Sequence, residues 1–344
     1  MGSLLSIRDL HVSFAASGGF LRQPSVVRAV DGISIEVEAG ETLAIVGESG
    51  CGKTTLGRTI AMLQRPTSGT IEFGGVLLNH LQPKALRLAR RTMQMIFQDP
   101  HASLNPRQRI EAIVGEPLLI AGVDVVARKK RVAELLDLVG LGADAAPRLP
   151  RAFSGGQRQR IGIARALAAS PKLIICDEPL SALDVSIQAQ IVNLLVSLQQ
   201  QFGLTYVFIS HDLAVVRQIA SRVAVMYLGS VVELAEVEAL FARPRHPYTM
   251  ALLSAVPTLT THGRQASEPL LVVGDPPSPL NMPSGCRFHP RCWLRKQLDN
   301  PSRCATEIPI PASGDSHQVA CHFAGTAALQ QLRPSLQPAT VEQI

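Results

Sequence analysis

The sequence predicts an α/β fold, and three features carry that prediction. Continuous apolar runs, typical of parallel strands buried on both faces, occupy residues 43–46, 173–176 and 206–209. Apolar residues at helical spacing follow the first two runs, over residues 54–63 and 187–198. A glycine-rich loop connects the first strand to the first helix. Strands that alternate with helices form a parallel sheet covered by helices.

Further segments are predicted around this core. Short runs that alternate apolar and polar residues, at 4–14 and 33–39, favour an antiparallel β subdomain. Between about 85 and 165 helical periodicity dominates and strand signals are nearly absent, which predicts an inserted helical subdomain. We expect one domain over 1–243, a loop-rich extension over 244–330 that is rich in Pro, Gly and Ser, and a flexible tail at 331–344.

Composition limits the classes of partner. With 46% hydrophobic and 17% charged residues, the 344-residue chain has the composition of a folded protein. The net charge of +6 suits phosphate, nucleic acid or an anionic membrane surface. Aromatic residues make up only 4%, too few for a platform that stacks single-stranded nucleic acid. We find no apolar run long enough to span a membrane and no secretory signal, so we expect a cytosolic chain.

The glycine-rich loop fits the P-loop pattern G-x-x-x-x-G-K-[ST]. Its residues, together with the threonine that follows, are Gly47, Glu48, Ser49, Gly50, Cys51, Gly52, Lys53, Thr54 and Thr55. Backbone amides of such a loop surround phosphates, and the N-terminus of the next helix adds positive potential. We therefore expect Lys53 to contact the β- and γ-phosphates of a nucleotide and Thr54 to bind Mg²⁺.

Two carboxylates follow the second apolar strand. Asp177 lies at the carboxyl edge of the predicted sheet, where Mg²⁺ is expected. Glu178 is next in the chain and is predicted to face the γ-phosphate, where a carboxylate can orient or deprotonate the attacking water. Cys51 and Cys176 lie inside these motifs, and we interpret both as small buried side chains.

The segment Ser154–Gly155–Gly156–Gln157–Arg158 resembles the signature of ABC ATPases. Three further matches stand in the family order: Gln98 resembles the Q-loop, Asp184 the D-loop and His211 the switch histidine. The resemblance implies a P-loop NTPase fold of the ABC type, with an antiparallel β subdomain, an inserted α-helical subdomain and a loop-rich C-terminal extension.

The resemblance also implies a shared site in which two nucleotides lie between two such domains. Lys53, Asp177, Glu178, Gln98 and His211 of one domain would act together with Ser154, Gly155, Gly156 and Gln157 of the other. Gln98 would be a third Mg²⁺ ligand. The chain departs from the family where an aromatic residue normally stacks on adenine, because Val27 lies in that neighbourhood. An apolar contact from Val27, or the ring of Phe14 or Phe20, would take its place.

Several stretches resemble the ATPases of oligopeptide/dipeptide importers, in particular their F-type subunit: FQDPHASLNPR, CDEPLSALDVSIQAQIVNLL, ISHDLAVV and RHPYTMALLSAVP. The resemblance implies ATP and Mg²⁺ as cofactors and a peripheral location at the cytoplasmic face of the inner membrane. Expected partners are a D-type ATPase, two transmembrane permease subunits and, indirectly, a periplasmic or lipoprotein substrate-binding protein. The resemblance implies an ATP-hydrolysing subunit that powers the uptake of di- and oligopeptides, with nickel, glutathione or an antimicrobial peptide as the alternative cargo.

Two other classes are disfavoured. A non-transport ABC ATPase acting on DNA or ribosomes would carry a long insertion between P-loop and signature, or a second nucleotide domain, and neither occurs in the sequence. We therefore expect no nucleic-acid partner. A regulator that binds nucleotide without hydrolysis is disfavoured because Glu178 is present.

Four cysteines of the extension, Cys286, Cys292, Cys304 and Cys321, are spaced C-x5-C-x11-C-x16-C. In a reducing compartment clustered thiols favour a metal over disulfides. Structural zinc usually uses closer cysteine pairs, although His289, His317 or His322 could substitute. Four thiolates can also hold a [4Fe–4S] cluster, with which the family's tail cysteines are associated. Free structural cysteines are the remaining interpretation.

Overall fold

The computed structural model describes residues 3–16, 25–99, 103–255, 272, 274–311 and 316–325. They form two compact units, one of Met1–Leu10, Ser34–Ala44 and Thr54–Ser210, the other of His11–Ile33, Ile45–Lys53 and His211–Ile344. The strands are β1 (Leu5–Ala16), β2 (Ser25–Val37), β3 (Thr42–Val46), β4 (Ser68–Phe73), β5 (Val76–Leu77), β6 (Met93–Ile96), β7 (Leu173–Asp177), β8 (Thr205–Ile209), β9 (Arg222–Tyr227), β10 (Ser230–Glu236) and β11 (Gln318–Val319).

The helices of the described residues are short or of medium length. They are α1 (Lys53–Ile60), α2 (Pro83–Arg91), α3 (Ile110–Ile120), α4 (Val125–Leu138), α5 (Gly155–Ala168), α6 (Val185–Phe202), α7 (Leu213–Ile219), α8 (Val237–Ala242), α9 (Pro247–Ser254), α10 (Trp293–Gln297) and α11 (Arg303–Thr306). Among them, none combines the length and apolar character that a membrane-spanning helix needs.

Parallel strands form the centre of the first unit. The order there is β3-β8-β7-β6, with Ile175 of β7 opposite Met95 of β6 and Val207 of β8. Every residue of β7 and β8 is buried, which accounts for their continuous apolar sequences. The predicted α/β fold is confirmed.

The predicted antiparallel β subdomain is also confirmed. Its strands follow the order β2-β1-β4-β5. A two-residue turn joins β4 to β5, because Phe73 is the register partner of Val76. Gly74 and Gly75 form the turn with φ values of 57° and 80°, a conformation that hairpin turns of type I′ require and glycine adopts without strain.

Helices α2 to α5 occupy most of the segment predicted to be helical, which also contains one short strand. The strand β6, Met93–Ile96, lies within it and pairs with β7. It has only four residues and follows an arginine-rich helix, so its alternation is too short to give a strand signal. Its end residues Met93 and Ile96 are buried.

Helix α6 ends where the sequence predicts. Gly203 is its C-cap, with a left-handed φ of 63°, and donates its N–H to the carbonyl of Gln199 at 2.8 Å. Glycine is the residue best suited to this conformation at a helix end. The buried face of α6 contains Ile191, Leu195 and Leu198, three members of the predicted apolar stripe.

The second unit contains antiparallel strands in the order β11-β10-β9, followed by the last residues of β3. Leu234 of β10 pairs with Ala224 of β9 on one side and with Gln318 of β11 on the other. Strand β11 belongs to the C-terminal extension, which the sequence predicts to be loop-rich. Two residues of strand leave no recognisable pattern in a sequence. The predicted tail at 331–344 lies outside the described residues.

A buried carboxylate holds the extension on β10. Glu233 accepts hydrogen bonds from the backbone amides of Arg245 at 2.7 Å and His246 at 3.0 Å, and its Oε1 lies 2.7 Å from Nε2 of His317. Burial lowers the pKa of His246 to about 4, so this ring is neutral at physiological pH. The network fixes the start of α9 relative to the sheet.

Candidate functional site

The P-loop follows β3 and leads into α1, as predicted. Gly47 and Gly52 have φ values of +152° and +108°. A Cβ atom would lie 2.2 Å from the Met226 carbonyl oxygen at position 47 and 2.0 Å from the Ala29 carbonyl oxygen at position 52. Both distances are far below van der Waals contact with backbone, so the path of the loop requires glycine at these positions.

The Lys53 side chain is buried against the loop that precedes it. Its ammonium group donates to the carbonyl oxygens of Gly47 at 2.8 Å and Glu48 at 3.0 Å. The Cys51 sulfur, a weak acceptor, lies 4.0 Å away. This arrangement holds a positive charge inside the loop, and a phosphate oxygen would be a stronger acceptor than the sulfur. Ser49 and Gly50 at the tip are exposed, and Thr55 lies in the first turn of α1.

In the first unit, two oxygen ligands suited to Mg²⁺ lie side by side. The Thr54 hydroxyl donates to Oδ1 of Asp177 at 2.9 Å, although the two residues are 123 positions apart in the chain. Asp177 is the last residue of β7 and is 1% exposed. Hydroxyl and carboxylate oxygens are ligands that Mg²⁺ prefers, so the donor set fits this ion.

Glu178 adopts a strained backbone conformation at the end of β7. Its φ of 43° is uncommon for a residue with a side chain, and its amide donates to the Ile209 carbonyl at 3.0 Å. The Gln98 amide nitrogen donates to Oε2 of Glu178 at 2.9 Å. Strain of this kind costs about 1–3 kcal/mol and concentrates at functional sites. The structure therefore brings together two of the predicted catalytic residues.

The signature segment caps helix α5. The Ser154 amide donates to the Gln157 side chain at 3.0 Å, and the Gln157 amide donates to the Ser154 hydroxyl at 3.3 Å. This capping box orders the helix N-terminus, where positive potential favours an anion. Gly156 packs so closely that an added Cβ would lie 2.5 Å from the Ile187 side chain. Asp184 is the exposed N-cap of α6.

The remaining predicted site residues are His211 and the candidates for contact with adenine. His211 is exposed and precedes Asp212, whose side chain caps α7 by accepting from the amides of Ala214 and Val215. Among the candidates for adenine contact, Phe14 is 38% exposed and Val27 is half-buried. Phe20 lies outside the described residues.

The predicted burial of Cys51 and Cys176 is confirmed, and burial raises the pKa of both thiols. The other four cysteines line one small cavity in the second unit: Cys286, Cys292, Cys304 and Cys321. Over the part of the chain that the structure describes, no group of three or more His, Cys, Asp or Glu side chains is arranged to hold a single metal ion.

The histidines considered as zinc ligands have other contacts. His317 pairs with Glu233, Nδ1 of His289 lies 2.9 Å from the Cys286 carbonyl oxygen, and Nε2 of His322 lies 3.0 Å from the Glu307 carbonyl oxygen. His289 and His322 still contribute to the cavity wall.

Sequence reasoning missed two residues that contact the P-loop. Arg291 pairs with the Glu48 carboxylate, and the Tyr248 hydroxyl accepts from the Glu48 amide. Both belong to the C-terminal extension and stand in the sequence segments HPRC and RHPYT. Nothing in those segments indicates a contact with a loop some 200 positions earlier.

Two family models match the chain. That of the ABC transporter matches residues 30–181, and that of the C-terminal region of oligopeptide/dipeptide transporters matches residues 232–298. The oligopeptide transport ATP-binding protein AppF of Bacillus subtilis is 50% identical, with 93% of this chain and 97% of AppF covered. The dipeptide transport ATP-binding protein DppF of Escherichia coli is 48% identical, with 85% and 87% covered.

Solved structures agree with these matches. The ATP-binding cassette MJ0796, solved as a dimer in a post-hydrolysis state with ADP and Pi, superposes with a TM-score of 0.60 at 29% identity, covering 68% of this chain and 98% of that one. CbiO1 of Clostridium perfringens gives a TM-score of 0.62 at 27% identity, covering 70% and 92%. The chain therefore belongs to the ABC transporter family and is an ABC ATPase of the oligopeptide/dipeptide transporter type.

Proposed function

We propose that this chain hydrolyses Mg²⁺-bound ATP to drive the uptake of peptides through separate membrane subunits. The assignment of ATP hydrolysis is supported by the two carboxylates at the end of β7. Asp177 accepts a hydrogen bond from the Thr54 hydroxyl, and Glu178 accepts one from the Gln98 amide. The peptide cargo is supported by relatives named for oligopeptide and dipeptide transport that are about half identical over most of their length.

ATP binding is assigned to the P-loop and the end of β7. Lys53 and the amides at the start of α1 would bind the phosphates, and Thr54, Asp177 and Gln98 would supply oxygen ligands for Mg²⁺. When bound, Mg²⁺ adds positive charge that stabilises the transferring phosphoryl group. The complete set proposed for ATP is Gly47, Glu48, Ser49, Gly50, Cys51, Gly52, Lys53, Thr54, Thr55 and Asp177.

Glu178 is proposed as the catalytic carboxylate. It would accept a proton from the attacking water or orient that water for in-line displacement. Gln98 holds the carboxylate at 2.9 Å and would also orient the water, and His211 is proposed to contact the γ-phosphate. Ser154, Gly155, Gly156 and Gln157 would bind the nucleotide of an opposing domain, with Asp184 at the same interface. The dimeric structure of the related cassette MJ0796 supports such a shared site.

The proposed assembly places this ATPase beside a D-type ATPase and under two transmembrane permease subunits. A periplasmic or lipoprotein substrate-binding protein would deliver the cargo. The chain itself would bind peripherally to the cytoplasmic face of the inner membrane. We propose a division of the chain into a nucleotide-binding domain over 1–243, with the helical subdomain at about 85–165, and an extension over 244–330. The family model of the extension, which matches residues 232–298, supports that division.

Reconstitution tests this function. In proteoliposomes that contain the whole assembly, peptide-loaded binding protein should raise ATP turnover by about tenfold over the isolated chain, a barrier change of about 1.4 kcal/mol. The isolated chain should turn over ATP slowly, because a partner must supply the second signature. If binding protein loaded with nickel, glutathione or an antimicrobial peptide stimulates turnover instead, that compound and not a di- or oligopeptide is the cargo. Full activity of the monomer, or stimulation by nucleic acid alone, would contradict the proposal.

We also propose that the extension holds a [4Fe–4S] cluster. Four thiols line one cavity, which matches the four thiolate ligands of such a cluster. Burial raises the pKa of every one of them, to about 11 for Cys292 and about 12 for Cys321, so a bound metal would be needed to ionise them at neutral pH. The cluster would help to order the extension around its four cysteines.

Anaerobic purification should give a brown protein with about four iron and four sulfide per chain. Cys292→Ser removes a ligand and should lose most of the iron and lower the melting temperature of the extension. Cys176→Ala, a change at a buried cysteine of β7, should retain the iron. A colourless protein with stoichiometric zinc would show that the cysteines hold zinc and not a cluster. A folded extension without metal would contradict both metal sites.

A further inference from the structure

The C-terminal extension contacts the P-loop through one residue, Glu48. The Arg291 Nη1 atom lies 2.9 Å from Oε2 and 3.1 Å from Oε1 of the Glu48 carboxylate. The Glu48 amide donates to the Tyr248 hydroxyl oxygen at 2.9 Å. The Tyr248 side chain is buried, and its hydroxyl oxygen is the acceptor in this bond. Two side chains of the extension therefore hold one residue of the nucleotide loop.

Arg291 is itself held in place. Its side chain is 9% exposed, its Nε donates to the Gly274 carbonyl at 3.0 Å, and its guanidinium carbon lies 6.0 Å from the centre of the Tyr227 ring. The aromatic rings of Tyr227, Tyr248 and Phe288 pack together with centroid distances of 4.7 to 5.4 Å. A guanidinium fixed by burial and by a carbonyl presents its charge to Glu48 with little loss of entropy. This pair is more strongly constrained than an exposed ion pair.

The carbonyl group of Glu48 connects these contacts to the catalytic machinery. It accepts from the Lys53 ammonium at 3.0 Å and from the Cys51 amide at 3.3 Å. Glu48 thus accepts from Arg291 with its carboxylate, donates to Tyr248 with its amide and accepts from Lys53 with its carbonyl. A shift of Glu48 would move the carbonyl that orients the lysine.

We propose that Arg291 and Tyr248 are positioning residues of the ATP site and act through Glu48. Arg291 also neutralises a carboxylate that would otherwise repel the phosphates of ATP from within the loop. The C-terminal extension thereby completes the nucleotide loop of this chain. The inference rests on the ATP site proposed at the P-loop, and because it concerns ATP binding by the chain alone it does not depend on the cargo.

The test measures the affinity of the full-length chain for a fluorescent ATP analogue in the presence of Mg²⁺. Arg291→Ala should weaken binding by about tenfold, because Glu48 loses its partner and its negative charge is no longer balanced. Tyr248→Phe should weaken it by about threefold through loss of one acceptor. In the assembled transporter the same variants should raise the KM for ATP and change kcat by less than about threefold.

A double variant separates positioning from general stability. Adding Glu48→Gln to Arg291→Ala removes the unbalanced charge and should restore at least half of the lost affinity on a logarithmic scale. A purely structural role predicts that the two changes add. Arg303→Ala is the matched control, since Arg303 also precedes a cavity-lining cysteine and pairs with a glutamate, Glu307, at 2.7 Å, but not with the P-loop. It should bind ATP normally.

Three results would overturn the proposal: unchanged ATP affinity in folded Arg291→Ala, an equal loss in Arg303→Ala, or a double variant no better than Arg291→Ala. If Arg291→Ala does not fold, Arg291→Lys keeps the charge but loses the two-contact geometry. That variant should then bind ATP several-fold more weakly than the wild type. Wild-type affinity in Arg291→Lys and in Tyr248→Phe together would equally overturn the proposal.

Discussion

Glu178→Gln should lower ATP turnover of the assembled transporter by about 10² to 10³-fold while ATP still binds with an affinity within about threefold of the wild type. A general base contributes about two to four orders of magnitude to a rate, and a carboxamide cannot accept the proton of the attacking water. The substitution is nearly isosteric, and its amide oxygen can still accept from the Gln98 nitrogen that lies 2.9 Å from the native carboxylate. The measurements are phosphate release and retention of unhydrolysed ATP.

The matched control for this variant is Glu134→Gln on α4. Glu134 is a half-exposed carboxylate paired with Arg131 at 3.1 Å, so the same chemical change is made away from the nucleotide motifs. It should leave turnover unchanged. Wild-type turnover in Glu178→Gln would mean that another group activates water, and loss of ATP binding would mean that Glu178 supports the loop instead of the chemistry.

Much of the fold follows from local sequence because the chain's patterns are strong. Strand β8 is buried at every position and its run 206–209 is continuously apolar or aromatic, and α6 ends at a glycine, which adopts the left-handed conformation without strain. The contact of Thr54 with Asp177, 123 positions apart, can also be predicted from the sequence, because a P-loop helix and the carboxyl end of a neighbouring strand meet at one sheet edge.

Other features depend on tertiary context. Strands β6 and β11 have four and two residues, too few for periodicity, and exist because a neighbouring strand supplies hydrogen bonds. The Arg291–Glu48 pair joins residues 243 positions apart, and neither residue type is unusual where it stands. The strain at Glu178 is likewise invisible in sequence, since a φ of 43° is imposed by the surrounding strands.

Lys53→Ala should weaken ATP binding by about 10²-fold or more, which corresponds to about 2.7 kcal/mol. The lysine is only 4% exposed, and its ammonium group is held by the carbonyl oxygens of Gly47 and Glu48 at 2.8 and 3.0 Å. These carbonyl groups orient its charge inside the loop, so little entropy is lost on binding. Alanine removes the charge-assisted hydrogen bond to phosphate, worth about 1.5–3 kcal/mol, and takes the lysine donor away from the buried Gly47 carbonyl.

Equilibrium titration of the full-length chain with a fluorescent ATP analogue measures this loss. The control is Lys172→Ala, which removes a lysine with an exposed side chain just before β7 and should bind as the wild type does. Lys53→Arg should not restore affinity, because a planar guanidinium cannot occupy the space between the two carbonyls that a compact ammonium fills. Tight binding by Lys53→Ala would show that backbone amides alone hold the phosphates. In that case the carbonyl contacts of Lys53 would serve to keep the loop in shape, and the variant should then melt at a lower temperature.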